Sequence, residues 1–134
     1  MSTGLPLGVR FLLSLATVVG LALTAAAQEH TKDTLDTVKK AVADKTAILI
    51  DVREKSEWDK GHLQDARLIT LSSLKKDAKA PTDLAKDKPI YLHCASGNRC
   101  LQAAEILKKQ GYDARPLKDG YKDLVDKGFT KAKE

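Results

Sequence analysis

The sequence predicts an α/β domain, a mainly parallel sheet of four to five strands with helices on both faces. Three observations carry this. Strand-like and helical patterns alternate from residue 31 to residue 127, and such alternation implies right-handed crossovers between parallel strands. Residues 47–52 are a continuous apolar run closed by Asp51 and Val52, as in a strand buried on both faces. Residues 91–100 pass from an apolar strand pattern through a short loop, with Cys94 at its start and Gly97 inside it, into a helical pattern.

The elements follow in order. Leu35, Val38 and Val42 fall at helical spacing within residues 31–43, which gives an amphipathic helix. Residues 47–52 are the first strand. Residues 56–60 can make a short helix that Gly61 stops. Residues 66–71 are the second strand, after which Ser72 or Ser73 can cap a helical turn reaching Lys79, with Pro81 ending it. Residues 89–93 are the third strand. Residues 98–110 are a helix with Leu101, Ala104, Ile106 and Leu107 facing inward and Gly111 as its stop. Residues 112–117 give a fourth strand with Pro116 near its end. Lys118, Asp119 and Gly120 turn the chain into a last helix over residues 121–127, and residues 131–134 are expected to fray.

The chain has 134 residues, enough for one domain. Residues 1–27 read as a cleavable signal peptide. Arg10 supplies the positive region, residues 11–23 are mostly apolar, and Ala25, Ala26 and Ala27 place a cleavage site before Gln28. The alternative, a retained anchor, needs a span of about 20 apolar residues, longer than this run. No cysteine follows the apolar run to carry a lipid. The expected compartment is the bacterial periplasm, and residues 28–134 form the domain. Without the leader, the 22 basic and 18 acidic residues leave a net charge of +4. They are interspersed, with no aromatic-basic interleaving, so nothing points to nucleic acid. A mild positive field suits a small anionic substrate.

Cys94 and Cys100 are the two cysteines. A disulfide between them would close a very small loop and restrict little chain entropy, so chemistry explains the pair better than reinforcement. Cys94 ends a strand just before a helix N-terminus, where backbone N–H groups of Ala95, Ser96, Gly97, Asn98 and Arg99 lack intrahelical partners. Gly97 lets the loop turn those amides inward, and the Arg99 guanidinium fits a cluster of anionic oxygens. A thiol in that setting is expected to ionise near pH 6. The contrary reading is a buried, inert cysteine.

Cys94-Ala95-Ser96-Gly97-Asn98-Arg99 resembles the C-x-x-G-x-R active-site loop of rhodanese domains. Asp51-Val52-Arg53-Glu54, then Glu57-Trp58, then Gly61-His62-Leu63, resembles the same family's upstream segment, in the family's order and spacing. The short exported form is similar to single-domain periplasmic rhodaneses of the phage-shock E type. The resemblance implies a rhodanese-like fold and a thiosulfate sulfurtransferase. Cys94 would take a sulfane sulfur from a small anionic donor such as thiosulfate and pass it to a thiol or cyanide acceptor. Neither a metal nor an organic cofactor is needed, and the implied protein is a monomer free of nucleic acid and, after leader removal, of the membrane. Four residues separate Cys94 from Arg99, whereas the related phosphatases carry five, so the loop favours sulfur over phosphate.

The departures from the family pattern are Gln64-Asp65-Ala66 where Pro-Gly-Ala is common, and Asp119-Gly120-Tyr121 where Gly-Gly and a tryptophan are common. Asp51, Arg53, Glu57 and His62 read as structural support, with an Arg53–Glu57 ion pair expected and His62 satisfying backbone groups in its turn. His93 faces away from the Cys94 side chain by strand alternation. Trp58 is expected in the core and His30 near a frayed end. Cys100 is either a small buried residue or a resolving thiol for a Cys94 persulfide or sulfenic acid. Two other functions stay open: a non-catalytic persulfide carrier, and a thiol–disulfide redox protein using Cys94 and Cys100.

Overall fold

The computed structural model describes residues 28–134, with Gly4 and Gly20 besides; the expected signal peptide otherwise lies outside the described residues. Nine elements alternate: α1 (Leu35–Ala43), β1 (Ile48–Asp51), α2 (Lys55–Asp59), β2 (Ala66–Leu68), α3 (Leu71–Asp77), β3 (Ile90–His93), α4 (Arg99–Lys109), β4 (Ala114–Pro116) and α5 (Tyr121–Asp126). The sheet has four strands in the order β2-β1-β3-β4, and every pair is parallel.

Strand alternation sends neighbouring residues to opposite faces, and two separate cores result. On one face Ile50, Ile90 and Leu92 pack with Leu71 and Leu74 of α3 and with Cys100, Ala103, Ala104 and Leu107 of α4. On the other, Leu49 and Tyr91 pack with Val38 and Val42 of α1 and with Leu124 of α5. The expected helices on both faces are therefore present. All four residues of β3 are buried, which explains their continuous apolar character up to His93. Register places Asp51 beside His93, so the carboxyl ends of β1 and β3 open on one edge, where open α/β sheets bind ligands.

Several local expectations need correction. The strand β2 stops at Leu68, and Thr70 rather than Ser72 or Ser73 caps α3, accepting from the Ser73 N–H at 3.2 Å. The early stop frees Thr70 for the extended backbone a cap requires. Helix α4 buries Cys100, Ala103, Ala104 and Leu107; Ile106 only packs at the margin and Leu101 is half-buried, because the small residues let the helix lie close to the sheet. Trp58 is half-buried rather than core and stacks on His62 at 3.7 Å. Lys131 and Ala132, expected to fray, are held: Leu63 bridges Lys131, and the Ala132 N–H donates to the His62 carbonyl at 2.8 Å. No helix among the described residues is long and apolar enough to cross a membrane.

The expected Arg53–Glu57 pair does not form. Arg53 pairs with Asp51 at 2.7 Å, with the two side chains 6% and 0% exposed. The Arg53 Nε–H reaches both carboxylate oxygens, at 3.0 and 2.9 Å, and the Arg53 backbone N–H adds a bond at 2.9 Å. Arg53, two positions from Asp51, turns back onto that buried carboxylate, while both Glu57 carboxylate oxygens are taken by Arg99. Truncating Arg53 would leave a buried carboxylate without its cation. We expect Arg53→Ala to cost about 3–5 kcal/mol, read as a lower urea midpoint; an unchanged midpoint would contradict this account of the pair.

Candidate active site

The site is built where β3 ends. Cys94 is 0% exposed, and its sulfur accepts from the Gly97 N–H at 3.1 Å. Gly97 has φ +86°, and a Cβ there would meet the Lys118 carbonyl oxygen at 2.6 Å; both conformation and space require glycine. The loop is closed from the other side by α5. The Tyr121 N–H donates to the Cys94 carbonyl at 2.8 Å. A Cβ on Gly120 would collide with the Ala95 carbonyl, so the start of α5 lies directly against the loop. Gly120 and Tyr121 are site residues that sequence reasoning passed over; their signal was the glycine-aromatic pair where the resemblance placed glycine and tryptophan.

The thiol is acidic. Cys94 is brought down to about 5, first by the adjoining Cys100 side chain and then, against the opposing effect of burial, by the backbone amides of Cys100, Ser96 and Gly97. The expectation that amides throughout Ala95 to Arg99 would serve is thus narrowed. Ala95, Ser96 and Asn98 are exposed on the rim, and Asn98 makes no side-chain cap to α4. Cys100 is 0% exposed. Its thiol donates to the Gly97 carbonyl at 3.1 Å and the Leu117 carbonyl at 3.3 Å, and its pKa is pushed up by the Cys94 thiolate and by burial. Both cysteines are free.

Arg99 and Glu57 come together, a pairing the sequence did not reveal. Two bonds join them, Nη1 to Oε2 at 2.7 Å and Nη2 to Oε1 at 2.8 Å, with the side chains 30% and 34% exposed. Arg99 holds the Glu57 carboxyl down at about 2, and the Arg99 charge is near enough to the Cys94 thiolate for each to favour the other. Glu57 is itself fixed by the Glu54 N–H at 2.9 Å within a capping box on α2. His62 does as expected, its Nδ1–H donating to the Trp58 carbonyl at 3.1 Å.

Beneath the loop lies a second layer. The Arg53 guanidinium stands over the Tyr121 ring at 4.1 Å and donates to the Gly61 carbonyl at 2.8 Å. His93 is fully buried, with both ring nitrogens lacking a hydrogen-bond partner, and its Nε2 is 3.8 Å from Asp51 Oδ2. Burial holds its pKa below the ordinary value, with Asp51 opposing. His30, expected to fray, is instead fixed: its Nε2–H donates to the Gly97 carbonyl at 2.7 Å. Among the described residues no three His, Cys, Asp or Glu side chains converge as a metal site.

The family model for the rhodanese-like domain matches residues 34–127. The chain is 43% identical over 77 residues to the uncharacterized protein YqhL of Bacillus subtilis, a match covering 57% of this chain and 59% of that protein. It is 34% identical over 76 residues to the tRNA uridine(34) hydroxylase of Onion yellows phytoplasma, covering 54% of this chain and 25% of the hydroxylase. The matches thus span about three fifths and one quarter of those relatives. Among solved structures, the human single-domain sulfurtransferase TSTD1 superposes with a TM-score of 0.62 at 26% identity, covering 69% of this chain and 93% of TSTD1.

Two outcomes follow from the ionisation of this site. The thiolate ultraviolet absorbance should rise with a midpoint near pH 5 and be lost in Cys94→Ser; a midpoint in the ordinary range of about 8.5 would overturn the acidic thiol. For His93, the unfolded chain takes up a proton near pH 6.5 before the folded one does. Stability should therefore fall as pH drops below about 6.5 and be level above it as far as this group is concerned. His93→Leu should flatten that part of the stability profile in urea titrations, and an unaltered slope would refute the assignment.

Proposed function

Because the chain belongs to the rhodanese-like domain family, we propose that it is an exported single-domain sulfurtransferase, its leader ending at Ala27, its domain spanning residues 28–134 and its nucleophile being Cys94. The observation that carries the reading is the acidic Cys94 sulfur on the Gly97 amide. A sulfane sulfur has to be attacked by thiolate, and at neutral pH this cysteine is thiolate without a general base. The match to TSTD1 over nearly its whole length supports sulfur transfer by a domain of this size acting alone. The hydroxylase matches over only a quarter of its length, so its named reaction says less about this chain.

The proposed donor is thiosulfate or a similar small anion. The Cys94 thiolate attacks the outer sulfur, the sulfur–sulfur bond of the donor breaks, and sulfite leaves with the bonding pair. Cys94 then carries a persulfide anion, which the loop amides stabilise as they did the thiolate. An acceptor thiolate or cyanide attacks the terminal sulfur and releases Cys94 as thiolate, so no net redox change falls on the protein. Arg99, steered by Glu57, supplies the positive charge that draws the donor to the rim. The loop is too short by one residue for the cradle of the related phosphatases. A redox pairing of Cys94 with Cys100 is disfavoured, because the adjoining Cys94 thiolate and the two carbonyls within its reach hold Cys100 protonated. The proposed compartment is the bacterial periplasm.

Intact mass after incubation with thiosulfate tests the reading. The parent should gain one sulfur and release sulfite through many turnovers in the presence of cyanide. Cys94→Ser should lose turnover at least about 1,000-fold, while Cys100→Ser, which keeps a donor for both carbonyls, should retain most of it. A sulfur adduct without turnover would instead mark a persulfide carrier, and an active Cys94→Ser would sink the mechanism.

A further inference from the structure

Residues 28–33 precede the segment matched by the family model and form no regular element, yet they are tied across the domain. The Thr31 N–H donates to the Pro116 carbonyl at 2.7 Å, and Asp33 accepts from the Tyr91 hydroxyl at 2.7 Å and from Arg115 at 2.9 Å. Lys108 of α4 reaches Gln28 at 3.1 Å. These contacts fix a strap against β3, β4 and α4, and the strap delivers His30 to the Gly97 carbonyl at 2.7 Å. Its Nε2 would stand 3.3 Å from a Cβ at Gly97, so the ring also packs on that residue.

Gly97 is the hinge of the loop. Its N–H is on the Cys94 sulfur, and its carbonyl takes two donors, Cys100 from within and His30 from outside. With φ at +86°, a glycine has the freedom to leave this conformation unless something holds it. We propose that His30 is a positioning residue for sulfur transfer, clamping the Gly97 carbonyl from the strap so that the Gly97 amide stays on the Cys94 sulfur. A carbonyl only accepts, so the ring must carry its proton on Nε2. The clamp needs only that donor.

The proposal rests on the sulfurtransferase reading for its relevance to turnover, but its test does not. Titration of the Cys94 thiolate by ultraviolet absorbance measures the clamp directly. The titratable and charged groups that act on that sulfur are Arg99 and Cys100 on α4 and, from the opposite side of the strand, His93 on β3, and all are unchanged in the variants. His30→Ala should raise the midpoint by roughly 0.5–1 pH unit, the worth of one hydrogen bond, and lower turnover at pH 5 by roughly 2- to 5-fold, the loss of thiolate that such a shift produces at that pH. His30→Gln, which presents an amide donor, should restore both. A midpoint in His30→Ala equal to the parent's overturns the proposal, as does a raised midpoint that glutamine fails to restore. A parent that titrates near pH 5 but transfers no sulfur would defeat the sulfurtransferase reading and leave this role of His30 standing.

Discussion

The buried Asp51–Arg53 pair is the constraint on which the site depends. Asp51 ends β1 with its side chain 0% exposed, and a carboxylate so placed is tolerable only with a cation and hydrogen bonds in fixed positions. Arg53 supplies them, and in doing so its guanidinium is aimed at one spot. There it holds the Gly61 carbonyl at the end of α2 and lies over Tyr121 at the start of α5. The Tyr121 amide in turn holds the Cys94 carbonyl. One ion pair thus ties β1, the turn after α2 and the first turn of α5 to the loop after β3. Its net contribution to stability need not be large, because desolvation offsets much of the attraction; its effect is to leave these elements a single mutual arrangement.

On that base the cysteine loop solves an electrostatic problem with few groups. A fully buried thiol should resist ionisation. Here the neighbouring Cys100 and the amides of Cys100, Ser96 and Gly97 outweigh burial, and they act at short range in a setting that water does not screen. Arg99 is placed differently. Its two terminal nitrogens are bound by Glu57 at a partly exposed position, from which its charge still reaches the thiolate. Cys100 and the loop amides therefore carry the stabilisation of the sulfur, while Arg99 adds a longer-range charge from a half-exposed position.

Much of this was legible in the sequence because it is local or periodic. The alternation of elements, the apolar runs of β1 and β3, and Gly97 between Cys94 and Arg99 all announce themselves within a few residues. The partners of long-range contacts did not. Glu57 was grouped with Arg53, four positions away, although its cation is Arg99, forty-two positions on. His30 carried no signal at all, since its partner is sixty-seven residues distant and a polar segment just after an expected cleavage site reads as a free end. Thr70 was concealed by the strand pattern running past Leu68, which continued in hydropathy after pairing had stopped. Proximity across the sheet edge is set by register and helix placement, which a one-dimensional pattern does not encode.

Cys100 shows how the same residue changes meaning with its surroundings. Two cysteines six positions apart in a chain expected to be exported invite a redox reading. Yet a resolving thiol must lose its proton to attack, and a thiol that donates to both the Gly97 and Leu117 carbonyls, beside a thiolate that raises its pKa, is held protonated. Ionising Cys100 would place a second negative charge next to the first and face both carbonyl oxygens with a third acceptor. The proton retained on Cys100 therefore favours ionisation of Cys94: it leaves the negative charge to one sulfur and has within reach the carbonyl of the glycine whose amide serves that sulfur.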